Sequence, residues 1–339
     1  DSVRDELRAL VVDVSFSTAT ANEKAIFLAA EAVDYHRREH RTFWWGHFRR
    51  LSEAMHEWQD ERGVIVARHV SVVQDWQHKR TWSYRRLAIT GDFAPGTTLK
   101  SGESPHLLYE TPSPGPLVNP SNPLARGVGP KSRVISAGDG YVEIEEGARS
   151  DGGLWNDVPS ALAPPAPPRD NAIRQAIRQW ATQILESLPD KMPDDPAMDI
   201  LRRVGPRGTI IYPDEGVSAA DAIFDTVRRL KNSYLAVQGP PGTGKTFNAA
   251  EVIRRLVLNG YKVGVVAQSH AAIENLLGKC AAIGLSREQI GKKLSSGQDG
   301  AAHDAWTPLA DIPAVAEFAQ KPGGRVIGGT VWTFCNENA

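Results

Sequence analysis

The run Gly239, Pro240, Pro241, Gly242, Thr243, Gly244, Lys245, Thr246 is where residue types and spacing in this chain point most directly to chemistry. It satisfies G-x-x-x-x-G-K-[ST], the pattern of a phosphate-cradling loop. Glycines let the backbone curl so that successive N–H groups aim at one point, and the positive end of a following helix adds to that anion site. In such loops the lysine reaches the β- and γ-phosphates of a nucleotide and the neighbouring hydroxyl ligates Mg²⁺. Gly239 through Thr246 are therefore the candidate cradle, Lys245 and Thr246 the candidate catalytic pair, and Thr246 the candidate Mg²⁺ ligand.

A loop of this kind needs a strand before it and a helix after it. Tyr234-Leu-Ala-Val237 supplies a short apolar run, and Lys245 to Leu258 reads as a helix with Ala249, Ile253, Leu256 and Val257 facing inward. Asn259-Gly260 ends that helix, and Val263-Gly-Val-Val-Ala267 follows as a second strand. Strand, helix, strand at this spacing predicts a βαβ unit in a parallel sheet with helices on both faces. Hydrolysis also needs an acidic pair at the end of another strand, to hold the metal and activate water. No apolar strand followed by such a pair occurs after the loop, and Thr209-Ile-Ile-Tyr-Pro-Asp214-Glu215, which imitates one, precedes it.

Upstream, residues from Asn22 to Gln59 favour helix, with a break expected near His40 to Thr42. Trp44, Phe48, Leu51, Met55 and Trp58 recur at spacings of four and three, predicting one apolar helical stripe. Heptad-spaced aromatics of this kind usually belong to a core, though they can also stack bases. A second stripe, Ile173, Ile177, Trp180, Ile184 and Leu188, follows the proline-rich run Ala163 to Arg169, with Asp170 expected as its cap and Pro189 as its stop. Two such helices can pair as an antiparallel stalk. Between them, Val64–Ala67, Arg86–Thr90, Leu107–Tyr109, Arg133–Ser136 and Tyr141–Ile144 are short β-rich runs separated by turn residues, the texture of a small antiparallel barrel or sandwich. Glu110 to Pro130 reads as a long loop.

The flanks of the cradle carry a resemblance. Gln238 to Thr246, followed by Val265-Val-Ala-Gln-Ser-His-Ala-Ala-Ile-Glu-Asn-Leu-Leu277, resembles motifs I and Ia of superfamily 1 helicases, in the branch that holds the nonsense-decay RNA helicase and the Okazaki-fragment nuclease-helicase. Arg325-Val-Ile-Gly-Gly-Thr330 resembles the strand and loop whose threonine touches nucleic-acid phosphate in that family. The resemblance implies ATP and Mg²⁺ as cofactors, a single-strand track along Ser269, His270 and Thr330, and single-stranded nucleic acid as partner, DNA before RNA. A hydroxyl and backbone N–H groups opening a helix suit a phosphate, although Ser269 can equally serve only as a helix cap. In these helicases a β-barrel insertion rides on a two-helix stalk. Asp34 to Glu39 with Phe43-Trp-Trp45 and Phe48-Arg-Arg50 is similar to a stretch in bacterial proteins that fuse a RecB-like nuclease to such a motor, which would set a nuclease domain upstream of Asp1. Two departures stand out. Val217 to Asp221 lacks the adenine-reading glutamine of most relatives, and family order sets the acidic motif beyond Ala339.

Other signals are weaker. His36-Arg-Arg-Glu39-His40 matches the H-x-x-E-H zinc string, yet a peptidase needs a third ligand on a later helix and these residues lie among arginines. Arg37-Arg38, Arg49-Arg50 and Lys292-Lys293 read as solvated faces or as phosphate contacts. The net charge of -1 rules out a uniformly basic coat without excluding a local basic groove. Two distant cysteines, Cys280 and Cys335, indicate neither disulfide framework nor zinc site and suit a reducing cytoplasm. No apolar run reaches the roughly 18 residues that span a membrane.

The fold expected is α/β: a partial RecA-like P-loop domain with a parallel sheet, preceded by a two-helix stalk that carries a small antiparallel β-barrel insertion. The expected divisions are helices and first stalk helix at 1–60, barrel at 61–160, proline-rich linker and second stalk helix at 161–208, and P-loop domain at 209–339. The function implied is that of an ATP-dependent helicase fragment that binds nucleotide without turning it over. The alternatives are a nucleotide-gated module binding nucleic acid or a partner, and a P-loop ATPase outside the helicases.

Overall fold

The computed structural model describes residues 2–295 and 303–336, which divide into two compact units, Arg37–Arg169 and Asp1–His36 with Asp170–Ala339. Three helices open the chain: α1 (Ser2–Ala9), α2 (Ala21–Val33) and α3 (Tyr35–Ser52). Thr20 and Glu23 form a reciprocal capping box that starts α2. The helical run breaks at Asp34 rather than near His40 to Thr42. Asp34 leaves helical geometry and its carboxylate pairs with Arg4 at 3.1 Å, whereas the His, Arg and Glu residues after it are compatible with helix.

The expected stripe from Trp44 to Trp58 is not one helical face. α3 stops at Ser52, a 3₁₀ turn at Met55–Glu57 follows, and only the end of the stripe is core. Trp58 is buried with Val64, Ala94, Leu108, Ala161 and Ala163, while Trp44 and Phe48 remain exposed.

In the first-named unit, β1 (Ile65–Lys79), β2 (Trp82–Phe93), β3 (His106–Tyr109), β4 (Gly127–Val128), β5 (Lys131–Gly138), β6 (Tyr141–Arg149) and β7 (Ala161–Ala163) form one antiparallel sheet in the order β4-β3-β7-β1-β2-β6-β5. The β5 side meets the chain entering β3: Val134 N–H donates to the Glu103 carbonyl at 2.8 Å and Gly102 N–H to that of Val134 at 2.8 Å, which curls the sheet toward a barrel. Alternating residues fill it, among them Ile65, Leu87, Ile89, Leu107, Val134, Val142, Ile144 and Leu162. Ala161–Ala163, read from sequence as linker, is the strand that bridges β1 and β3. The long loop from Glu110 contains a 3₁₀ turn and the two residues of β4.

In the other unit, α4 (Asn171–Ser187) and α5 (Pro196–Arg202) pack Ala181, Ile184 and Met198 on Val3, Leu7, Ala25, Ala29 and Ala30 of α1 and α2, and Ile173 of α4 is buried as well. Asp170 occupies the cap position of α4 through its carbonyl, which accepts from Arg174 N–H, and not through a side-chain cap. Next come α6 (Ala219–Arg229), α7 (Lys245–Leu258), β8 (Lys262–Val266), α8 (His270–Ala282), β9 (Ile290–Lys293), β10 (Thr307–Leu309), α9 (Ile312–Gln320), β11 (Arg325–Gly329) and α10 (Val331–Phe334). Their sheet is parallel, in the order β10-β9-β11-β8. α7 and α8 cover one face with Val265 and Val326, and α9 packs Val315 and Phe318 on Ile327 and Leu309. Successive residues Val326 and Ile327 thus serve opposite faces.

Tyr234–Val237 is not a strand of this sheet. Among the described residues β8 pairs with β11 alone, so the segment before the loop finds no ladder and stays partly exposed. Thr209 to Pro213 likewise forms no strand, and Asp214 makes only an isolated bridge with Val217. Cys280 and Cys335 are free thiols, and no helix among the described residues is long and apolar enough to cross a membrane.

The rings of His47 of α3 and His106 of β3 meet tilted at 49°, 4.4 Å between centroids, half-enclosed near Arg50. Burial foremost, then His106 and Arg50, lowers the His47 pKa to about 4. A depressed histidine in the folded state means that the unfolded chain binds the extra proton first, so stability falls as pH drops from 6.5 toward about 4. We expect urea unfolding of the Arg37–Arg169 unit to lose about 3 kcal/mol across that window. A His47→Phe variant should flatten the dependence; an equally steep profile in the variant refutes the assignment.

Candidate functional site

The cradle turns on two left-handed glycines, Gly242 at φ 84° and Gly244 at φ 76°, where an L side chain is strained by about 1–2 kcal/mol. Gly244 is the N-cap of α7, so the first N–H groups of that helix, which have no intrahelical acceptors, open onto the loop with the positive end of the helix dipole. Thr243 Oγ1 donates to the Pro240 carbonyl at 2.8 Å and tightens the turn. Lys245 Nζ donates to the Gly239 carbonyl and, at 2.6 Å, to that of Pro240, so the ammonium is held over the mouth of the loop.

A cavity of about 410 Å³ is lined by Pro241, Gly242, Gly244, Lys245, Thr246, Phe247 and Lys279. The donors, two ammonium groups and the room between them fit the β- and γ-phosphates of a nucleotide, and the Thr246 hydroxyl is the residue that would ligate a phosphate-bound Mg²⁺. Lys279 was not legible in the sequence. It stands 34 residues beyond Lys245 on α8, and only the packing of α8 on α7 brings it to the loop.

α7 is held in place at its far side. Arg255 bonds Asp221 and, at 2.8 Å, Glu251, while Arg254 bonds Glu251 at 2.8 Å. Arg254 foremost, with Arg255, depresses the Glu251 pKa to about 2. Ser218 caps α6 by accepting from Asp221 N–H at 3.1 Å. The stretch Val217 to Asp221 therefore has a structural use, joining α6 to α7.

The other sequence candidates gather at the carboxyl ends of adjacent strands. Val266 of β8 pairs with Gly329 of β11 in parallel register, so Ser269 and His270 follow one strand end and Thr330 the next. Ser269 does cap α8, its hydroxyl accepting from Ala272 N–H at 3.2 Å. His270 opens that helix; burial, then Lys292, lowers its pKa, and its Nδ1 is buried without a hydrogen-bond partner among the described residues. Both effects disfavour the charged imidazolium form. Thr330 occupies the N-cap of α10, where its hydroxyl makes no capping bond.

Lys292 and Lys293 are not a solvated pair. Lys292 is buried on β9 against Glu274 of α8, and Lys293 Nζ donates to the carbonyls of Leu294 at 2.8 Å and Ala310 at 3.0 Å. Asp311 follows the end of β10, but its carboxylate caps α9 by accepting from Ala314 N–H at 2.9 Å. Of the zinc string, His36 faces Asp170 at 3.7 Å.

Close approach of α8 to the sheet fixes where Ser269 stands. A Cβ on Gly328 would lie 2.4 Å from Ile273 Cγ2 and 2.7 Å from Leu277 Cδ1, whereas one on Gly278 meets nothing within 4 Å. Gly328→Ala should destabilise by about 1–3 kcal/mol through overpacking, and Gly278→Ala should stabilise by about 0.5–1 kcal/mol through helix propensity. Chemical denaturation of both variants checks this; similar effects from the two would remove the packing argument.

Comparison with known proteins bears on the same segment. Residues 218–297 match the AAA domain family. The DNA replication ATP-dependent helicase/nuclease DNA2 of Saccharomyces cerevisiae is 38% identical over 70 residues, which cover 21% of this chain and 4% of that protein. The DNA polymerase alpha-associated DNA helicase A of Schizosaccharomyces pombe is 34% identical over 55 residues, 16% of this chain and 8% of that protein. The chain thus matches only small shares of these relatives, and the match supports a helicase-like, nucleotide-dependent P-loop segment.

Proposed function

We propose that this chain carries the nucleotide-binding RecA-like domain of an ATP-dependent superfamily 1 helicase, preceded by a stalk and barrel insertion, and that it engages single-stranded DNA in preference to RNA. The observation that carries the reading is the arrangement at one end of the α/β unit. Lys245 and Thr246 open α7, while Ser269 and Thr330 follow the ends of two strands paired in register. Nucleotide phosphates would be held by the N–H groups of Gly242 to Thr246 with Lys245 and Lys279; Mg²⁺, held by Thr246, would offset their charge. Reaching them requires Lys245 to release the Gly239 and Pro240 carbonyls. Ser269, His270 and Thr330 would contact the nucleic-acid backbone through hydroxyls, an imidazole ring and helix N–H groups.

Among the described residues no carboxylate pair stands at the strand ends, since Asp311 is engaged as a cap. We therefore propose that this segment by itself binds nucleotide without turning it over. A fluorescent ATP analogue with Mg²⁺ should bind, and Lys245→Ala should weaken it at least about tenfold, the scale of one lost charge-assisted contact. Steady ATP hydrolysis that Lys245→Ala abolishes would overturn the no-turnover statement.

Ser269 offers a cleaner test of the track. Aspartate caps a helix as well as serine does but repels phosphate. Ser269→Asp should keep the melting temperature and weaken oligonucleotide binding about tenfold; unchanged binding would leave Ser269 a cap and nothing more.

A further inference from the structure

The outer face of the barrel sheet carries a second site. In β2, Trp82, Tyr84 and Arg86 alternate with the buried Ser83, Arg85 and Leu87, so they face outward. On β5, Lys131 and Arg133 do the same against Ser132 and Val134. The strand between them, β6, places Gly147 opposite both Tyr84 and Lys131. A Cβ there would lie 3.1 Å from Tyr84 Cε1 and 3.3 Å from Lys131 Cβ, so the glycine leaves the dip that lets Lys131 cross the sheet. Lys131 Nζ lies 5.1 Å from the Trp82 ring centroid and 4.9 Å from that of Tyr84, and donates to the Tyr84 hydroxyl at 2.8 Å.

With Gln74, Gln77, His78 and Lys79 of β1 and the turn residues Arg80 and Thr81, these side chains line a concavity of about 770 Å³. Its charge is one-sided. Lys79, Arg80, Lys131 and Arg133 form no ion pair among the described residues, Arg86 reaches Glu143 at 3.8 Å, and Glu145 is the acidic residue of the lining. Arg85 also lines the site but is buried and bound to Glu146 at 2.8 Å. In a chain of net charge -1, this is a local concentration of positive charge. Arg80 adds a structural sign: it holds the turn at φ 60°, a conformation that glycine adopts freely and other residues rarely. The turn thus places a cation at the mouth of the concavity.

We propose that this concavity binds single-stranded nucleic acid. Cations around its rim match a phosphate backbone, the Trp82 and Tyr84 rings offer stacking surfaces to unpaired bases, and the Gln74 and Gln77 amides can bond base edges. An acidic peptide would use the cations and leave the rings unused; a duplex keeps its base faces inside the stack. The site lies in the Arg37–Arg169 unit and uses no residue of the Gly239–Thr246 loop, so it stands apart from the reading of that loop.

The test is fluorescence anisotropy of a labelled oligothymidylate of about 20 nucleotides, with the whole chain, in EDTA and without nucleotide. Arg80→Gly combined with Arg133→Gln should weaken binding at least about tenfold and flatten the log–log salt dependence by about 1.4, the value for two phosphate contacts on a single strand. Arg80→Gly alone should leave the melting temperature equal or higher, which separates binding from folding. Tyr84→Leu should cost about tenfold. In a Ser269→Asp, Thr330→Ala background the residual binding should fall in the same way; complete loss of binding in that background refutes an independent site. Unchanged affinity and salt slope in the double variant, or tighter binding of a poly-glutamate peptide or a duplex of equal length, overturns the proposal.

Discussion

The parallel pairing of β8 with β11 is the constraint from which the candidate site follows. Because Val266 faces Gly329 across the ladder, whatever follows each strand must emerge at the same end of the sheet. Two helices starting there present their first N–H groups in the same neighbourhood. The closeness of α8 to the sheet, permitted by Gly328, then decides how far those N–H groups stand from the strand ends. α7 docks through Ala250, Ile253 and Val257 into the same core that holds Ile273 and Leu277 of α8. One apolar contact therefore sets the phosphate loop and the Ser269 cap as a unit, and brings Lys279 to the cavity beside Lys245. Charge at the site is a consequence of packing.

The barrel is organised around a different interaction, an ion pair with almost no solvent exposure. Arg85 bonds Glu146 at 2.8 Å, the carbonyl of Trp155 at 3.2 Å and that of Asp157 at 2.6 Å, and its guanidinium lies 4.7 Å from the Trp76 ring centroid. Tyr109 donates to the other Glu146 oxygen. Burial raises the Glu146 pKa and Arg85 opposes it. Removing one partner of such a pair strands a buried charge, so the cluster fixes β2, β3 and β6 in one register and ties down residues 155–157 even if it adds little net stability. That fixed register is what aligns Trp82, Tyr84 and Arg86 on the outer face.

Sequence pattern revealed what is local. The loop motif, the helix after it and the strand Val263 to Val266 are written in contiguous residues, and the resemblance of Gln268 to His270 and of Thr330 fell on helix and strand ends as expected. Features that depend on a neighbour were missed. Tyr234 to Val237 has the composition of a strand, but a strand exists only where another offers its ladder. Ala161–Ala163 has almost no signal of its own, yet two strands pair with it. Trp58 kept heptad spacing with Trp44, while the chain between them left the helix at Ser52 and delivered Trp58 alone to the barrel core.

The two sets of candidate residues are written differently in the chain for the same reason. A phosphate loop must bring backbone N–H groups from consecutive residues to one point, so its signature is short and survives as a string. A groove on a sheet gathers side chains from separate strands, here Lys79 to Arg86 with Lys131 and Arg133, and its signature is period-two alternation that composition averages away. A net charge of -1 conceals the groove because the whole-chain sum sets its cations against acidic residues elsewhere, while acids such as Glu251 and Asp221 cancel locally against the arginine of α7 that they pair with. Overall charge measures the sum of these uses, and binding depends on where each charge is left without a partner.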